Sequence, residues 1–104
     1  MATIEVVVDK QLATWANMAG SDEGEAFGGV DAMDRSVHVF GAFTGGSITI
    51  EGSHDGLIWA TLHDPQGNAL VFLAAGIEQV LEASKYIRPV AAGVASVTVI
   101  LFRV

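Results

Sequence analysis

Hydrophobic and polar positions alternate most cleanly over residues 47–51, where Ile48 and Ile50 are separated by Ser47, Thr49 and Glu51. A period of two marks a strand lying half-buried against a core. The polar run Gly52, Ser53, His54, Asp55 and Gly56 interrupts the pattern before apolar residues resume at Leu57. This predicts a structural hairpin: Asp55-Gly56 supplies the positive-φ position of a tight reversal, and Ser53 and Asp55 can bond nearby backbone groups. Trp59 is then expected two residues into the second strand.

The same reading extends along the chain. Residues 4–8 form an apolar first strand, and residues 12–18 fit either a strand or a short helical turn. Residues 20–34 shift to Gly, Ser, Asp and Glu, with Asp22, Glu23, Glu25, Asp31 and Asp34, and read as an acidic, Gly-rich loop. Residues 35–40 resume the strand pattern through Val37 and Val39, and with residues 47–51 and the hairpin they predict a three-stranded meander. Asp64-Pro65-Gln66-Gly67-Asn68 is a turn signal, which makes residues 70–74 another strand. Residues 76–84 hold Ile77, Val80 and Leu81 at near-helical spacing, but nine residues are marginal for a helix and also fit an extended crossover. In residues 86–90 Pro89 cannot donate to a ladder, so that strand is expected at an edge or a bulge. The last strand, residues 96–104, has two apolar rows: Val97, Val99 and Leu101 on one side, Thr98, Ile100 and Phe102 on the other. Such a strand is either central in a sandwich or buried in a subunit interface.

Seven or eight short strands with frequent turns predict an all-β fold, a single antiparallel β-sandwich or jelly-roll domain over residues 1–104. The 104 residues leave no room for a second core of useful size, and 51% hydrophobic residues supply one. Net charge of −7 with five Lys and Arg argues against a nucleic-acid partner, because phosphate binding needs clustered cations. The absence of cysteine removes disulfides and thiolate metal ligation. Residues 1–10 read as neither a signal sequence nor a membrane span, so synthesis and folding in the cytoplasm, without a membrane partner, are expected.

Candidate chemistry is sparse. His38 lies within a strand, while His54 and His63 sit near turns beside Asp55 and Asp64. A hydrolase or zinc site needs convergent groups, and this spacing supplies none. Ser53, His54 and Asp55 are adjacent on one turn and diverge, whereas triads assemble from separate segments. The acidic residues lack the ordered alternation of a calcium loop, so a solvated acidic face is expected. No catalytic residue, cofactor or metal is therefore assigned. Trp15 and Trp59, with Phe27, Phe40, Phe43, Phe72, Tyr86 and Phe102, are expected in the core or a subunit contact, with stacking on a glycan as the alternative.

Residues 34–43, residues 47–56 with Trp59, residues 64–70 and Tyr86-Ile87-Arg88-Pro89 together resemble small structural proteins of tailed bacteriophages. The resemblance begins near Trp15 and runs to the C-terminus. It implies a virion component, most plausibly a capsid decoration or cement protein that binds the major capsid protein on the outer surface of the head, often as a trimer or another homo-oligomer. A tail or other virion component is the alternative, and a carbohydrate-binding sandwich is a further one. No catalytic residue comes with the family. Arg88 and Pro89 on one strand and Ile100 and Phe102 on another are the candidate oligomer or capsid contacts.

Overall fold

Alternation of core-facing and outward positions runs through the long strands, broken in β3 and β12 where their mutual register shifts. The structure, a computed structural model, describes residues 2–28 and 34–103. They form twelve strands: β1 (Thr3–Ile4), β2 (Val6–Asp9), β3 (Leu12–Gly20), β4 (Glu23–Gly24), β5 (Phe27–Gly28), β6 (Arg35–Ala42), β7 (Ser47–Ser53), β8 (Ala60–Thr61), β9 (Val71–Phe72), β10 (Gly76–Val80), β11 (Tyr86–Ala92) and β12 (Val94–Arg103). Seven run for four residues or more, and all of these but β10 fall on segments read as strands or, for residues 12–18, as strand or turn; of the five two-residue pairings, β8 and β9 fall within predicted strands and β1, β4 and β5 are too short for alternation to reveal.

The all-β architecture consists of two sheets. One has five strands in the order β10-β6-β12-β3-β2, antiparallel throughout. The other has seven, with β1-β4-β11-β7-β8 in line, β5 also on β11 and β9 also on β7. Its single parallel pair is β1 with β4. Between the sheets lies one core. Trp15, Met18, Val37, Val39, Val97, Val99 and Leu101 come from the five-stranded sheet and meet Ile48, Ile50, Ile87 and Ala91 of the other. Burial of each large side chain there contributes roughly 1.5–3 kcal/mol.

Several expectations are corrected. β6 and β7 do not form a meander, because they lie in different sheets and residues 43–46 carry the chain across. The crossing is tight: a Cβ on Gly46 would collide with the backbone carbonyls of Ala92 and Gly93. Two open readings are decided rather than corrected: residues 12–18 take the strand alternative, and 76–80 are extended rather than helical, as β10, which pairs its polar backbone with β6. The strand expected at 70–74 shortens to β9.

The acidic segment 20–34 is not one loop. Its described part contains β4 and β5, and its carboxylates bond backbone amides: Asp22 accepts from Ala2 and Ala19 at 3.1 and 2.9 Å, and Glu25 from Val6 at 3.1 Å. Val30 and Asp31 lie outside the described residues.

Pro89 is not at an open edge. It is fully buried in β11, flanked by β7 on one side and by β4 and β5 on the other. On that second side Tyr86 and Ile87 pair with β5 and Val90 pairs with β4, so Pro89 falls opposite the gap between β4 and β5, where no ladder bond is required of it. Its ring fills the space that a side chain at Gly24 would need: a Cβ there would lie 2.5 Å from Pro89 Cδ and 2.8 Å from Trp15 Cδ1.

Candidate interaction surface

β12 is the central strand of the five-stranded sheet, so its outward row is the middle of a broad face. Register defines that face. One row runs Ile77, His38, Ile100, Thr14, Val7 from β10 to β2, and the next runs Gln79, Ser36, Phe102, Leu12, Asp9. Phe40 and Thr98 form a further pair, and the Phe40 ring sits 4.9 Å from that of His38. Ile77 is 63% and Val7 59% exposed, and Leu12, Phe40 and Phe102 are also exposed. The two rows hold one carboxylate, Asp9, and no Lys or Arg, in a chain of net charge −7. Isolated exposed apolar residues are ordinary, and the five apolar side chains gathered in these two rows make this face the candidate interaction surface.

Sequence pattern finds Ile100 and Phe102 as an outward row and names Phe40 only as an aromatic of the core or a contact, and it does not join these to Val7, Leu12, Phe40 or Ile77. Those belong to four other strands, and only strand order brings them together. The available signal is that Val6, Val7 and Val8 are apolar at both parities, which is unnecessary in a strand with one buried face.

The opposite face of the molecule is different in kind. On the outer side of the seven-stranded sheet Arg88 reaches Glu51 Oε1 through Nε and Nη2 at 3.1 and 3.0 Å, and Glu23 Oε2 through Nη1 at 3.0 Å. Its guanidinium also covers the Trp59 ring at 4.1 Å. Glu51 is the direct cross-strand partner of Arg88, and Glu23 lies opposite Val90, two residues along the same face. The candidates Arg88 and Pro89 thus separate: Arg88 is in a closed polar cluster, and Pro89 is inside. Trp59 lies just before β8 rather than within it, and it is half-buried under Arg88 instead of in the core. Trp15 is 1% exposed and donates its Nε1 proton to Glu25 O at 2.9 Å, so its indole offers no stacking platform.

The 53–58 turn is built by two side chains. Asp55 Oδ1 accepts from the Ser53 hydroxyl at 2.9 Å and from the amides of Leu57 and Ile58 at 2.8 and 2.9 Å, while Ser53 Oγ accepts from the amides of Asp55 and Gly56. The Ile58, Leu57 and Ser53 bonds hold the Asp55 carboxyl down at about 2. Ser53 gives its proton to Asp55, not to a histidine, and His54 Nδ1 faces the Lys85 amide at 3.4 Å. Leu57 and Ile58 project from this turn, beside an open depression of about 310 Å³ lined partly by Ile58, Thr61 and Glu82.

His63 pairs with Glu82, Nδ1 to Oε2 at 2.6 Å, and its amide donates to Glu82 Oε1 at 2.7 Å. Burial raises the Glu82 carboxyl, but these two bonds outweigh it and leave the group below its ordinary value. Among the described residues no three His, Asp or Glu side chains converge as a metal site.

No protein-family model and no curated protein matches the sequence. Among solved structures, the SPBc2 prophage-derived protein YomS superposes with a TM-score of 0.70 over 88% of this chain and 91% of that one. The two are 15% identical, so what they share is the fold.

Proposed function

We propose that this chain is a non-enzymatic structural component of a tailed-phage virion, a decoration protein that binds the major capsid protein on the outer surface of the head. The observation that carries the reading is the outward face of the five-stranded sheet, which exposes Ile77, Val7, Leu12, Phe40 and Phe102 and holds one carboxylate, Asp9, at its edge. Repeated copies on a shell each carry −7, and a face with a single carboxylate at its edge lets a neighbouring surface approach with little like-charge repulsion. Many modest contacts of this kind gain strength from repetition on a lattice, so no deep pocket is needed. The resemblance of residues 34–43, 47–59, 64–70 and 86–89 to phage structural proteins supports the virion role, and so does a fold shared with a prophage-derived protein.

Co-sedimentation of the purified chain with undecorated heads tests the proposal. Binding is expected to persist as salt rises, because burial of apolar surface is not screened as ion pairs are. Ile100→Glu places a charge at the centre of the face and should abolish binding while the fold is kept. Failure to sediment with heads at every salt concentration would overturn the decoration role, and sedimentation with isolated tails instead would move the protein to the tail.

A further inference from the structure

The edge of a β-sheet is a template for a further strand, and most edges of this sandwich are blunted against one. The seven-stranded sheet ends in β1 and β8, two residues each, and β10, at one end of the other sheet, carries Glu78 and Gln79. The remaining edge, β2, is built differently. Val6, Val7 and Val8 follow one another, and Val8 is 48% exposed although its cross-strand partner, Ala13, is fully buried.

Hydrogen bonding shows which backbone groups of β2 are open. The Val6 amide donates to Glu25 Oε1 at 3.1 Å, so it points away from β3, and Val6 with Trp15 is a pair without ladder bonds. Such pairs recur at every second residue of an antiparallel ladder, which puts Val8 with Ala13 in the same class. The N–H and C=O of Val8 and the C=O of Val6 therefore face outward from the last strand of the sheet, and among the described residues no strand lies beyond it. We propose that β2 accepts an added strand, an extended arm of the shell protein with apolar residues opposite Val6 to Val8 and a Lys or Arg beside Glu5. This rests on the virion reading above and names a contact that backbone groups make.

The charges around the edge select that occupant. Glu5 and Asp9 are exposed at the two ends of the valine run, and the Glu25 carboxylate sits on the Val6 amide. Lys10 adjoins Asp9, whereas the ion pairs among the described residues leave out Glu5 and Glu25. One end of the edge is thus acidic, and a cation on the incoming strand meets it there. A second copy fits worse. Antiparallel pairing of β2 with itself can set Val6 against Val8, which puts Glu5 directly opposite Asp9, a destabilising like-charge pair. Centred on Val8 instead, it forms only the two bonds of that pair, because the chain turns out of the ladder at Lys10, where φ is 57°. The arm is held weakly by one copy and gains strength from repetition over a shell. Its ion pair at the rim orients it more than it holds it, so head binding still survives salt.

Val8→Pro is the discriminating variant. Proline removes the outward N–H, and no bond to β3 goes with it, because the Val8 pair has none. An unchanged urea midpoint confirms folding, and Glu5→Lys, at an exposed position, serves as a second variant. The probes are two acetylated and amidated peptides, Lys-Val-Thr-Val-Lys and Glu-Val-Thr-Val-Glu, at millimolar concentration, with amide exchange read at Val8. The basic peptide should slow that exchange several-fold and the acidic one should not, and Glu5→Lys should narrow the difference. Both variants should bind undecorated heads several-fold more weakly than the wild type. Head binding by both variants at the wild-type level, equal protection by the two peptides, or no protection of Val8 by either the basic peptide or heads would overturn the proposal. Protection of Val8 that rises with protein concentration alone would overturn it too, making a second copy the occupant. If Ile100→Glu loses head binding while Val8→Pro and Glu5→Lys keep it, the face reading stands and the edge is refuted. If the basic peptide protects Val8 but the chain ignores heads, the virion role fails and the strand-accepting edge stands.

Discussion

The Arg88 guanidinium lies 4.1 Å over the Trp59 ring while its nitrogens hold Glu51 and Glu23. One side chain therefore joins β4, β7 and the segment leading into β8. The arrangement places Trp59 on the outside of the seven-stranded sheet, with energetics unlike those of a core tryptophan. A cation over an aromatic face is worth about 0.5–1 kcal/mol at an exposed site. Trp59→Ala should accordingly cost about 1 kcal/mol, against roughly 3–5 kcal/mol for Trp15→Ala, which empties a buried site. Urea midpoints at unchanged m-value check both, and an equal loss in the two variants would place Trp59 in the core. Arg88→Ala should cost more than Trp59→Ala, on the order of 1–2 kcal/mol, because Glu23 and Glu51 are left facing each other without a cation.

Gly24 and Pro89 share one space. A Cβ at position 24 would lie 2.5 Å from Pro89 Cδ and 2.8 Å from the Trp15 ring, and neither neighbour can yield, since one is a closed ring in a sheet and the other is locked by its bond to Glu25 O. Gly24→Ala should destabilise by about 1–3 kcal/mol through overpacking. Gly24→Ala combined with Pro89→Ala should recover part of that loss, because the second change removes the atoms that clash. Strictly additive losses in the double variant would show that the clash is relieved elsewhere.

How much of the fold and of the candidate surface is legible in the sequence differs by residue. The alternation at 47–51 and 96–103 identifies β7 and β12 because each side chain's direction follows from its own backbone. Alternation says which residues face inward but not which sheet they belong to, and so β6 and β7 read as neighbours although residues 43–46 separate them. Pro89 reads as an edge residue because its missing N–H is visible, whereas the gap between β4 and β5 that accommodates it is a non-local fact. Ile100 and Phe102 could be singled out as an outward apolar row. Their companions Val7 and Ile77 lie about 70 residues apart, on opposite edge strands, and only the order β10-β6-β12-β3-β2 puts them on one face. No local signal marks Arg35 as buried.

Acid should expose the charge on Asp55. Its folded value of about 2 lies below the 3.8 of the unperturbed group, so the unfolded chain takes up the proton first. The stabilisation is complete above about pH 4 and is lost as pH falls toward 2. Glu82 acts in the same direction, being depressed from 4.5 by the His63 bonds despite its burial. Asp55→Asn keeps an acceptor oxygen without the charge, so its stability should fall less than that of the wild type between about pH 4 and pH 2. Urea midpoints across that interval make the comparison, and parallel curves for the two proteins would show that the carboxylate charge at the turn contributes nothing.

Arg35 is 3% exposed, and its guanidinium donates to the carbonyls of Glu82 and Ser84 at 2.5 and 3.3 Å. Burial lowers its pKa and the Glu82 charge opposes that shift. The connection from β10 to β11 is thus held from two sides, by Arg35 on its carbonyls and by His63, whose carbonyl accepts the Leu81 amide at 2.8 Å. Arg35→Met keeps most of the volume but leaves two carbonyls without their donor, and should cost about 1–3 kcal/mol. Arg35→Lys should recover little, because a single ammonium cannot span two carbonyls as the planar fork does. Amide exchange separates this from a general loss of stability: Leu81 should lose protection in Arg35→Met by more than the core strands β7 and β12 do. Equal loss at Leu81 and in those strands would mean that the segment opens only when the whole domain unfolds, and that Arg35 is no local clamp.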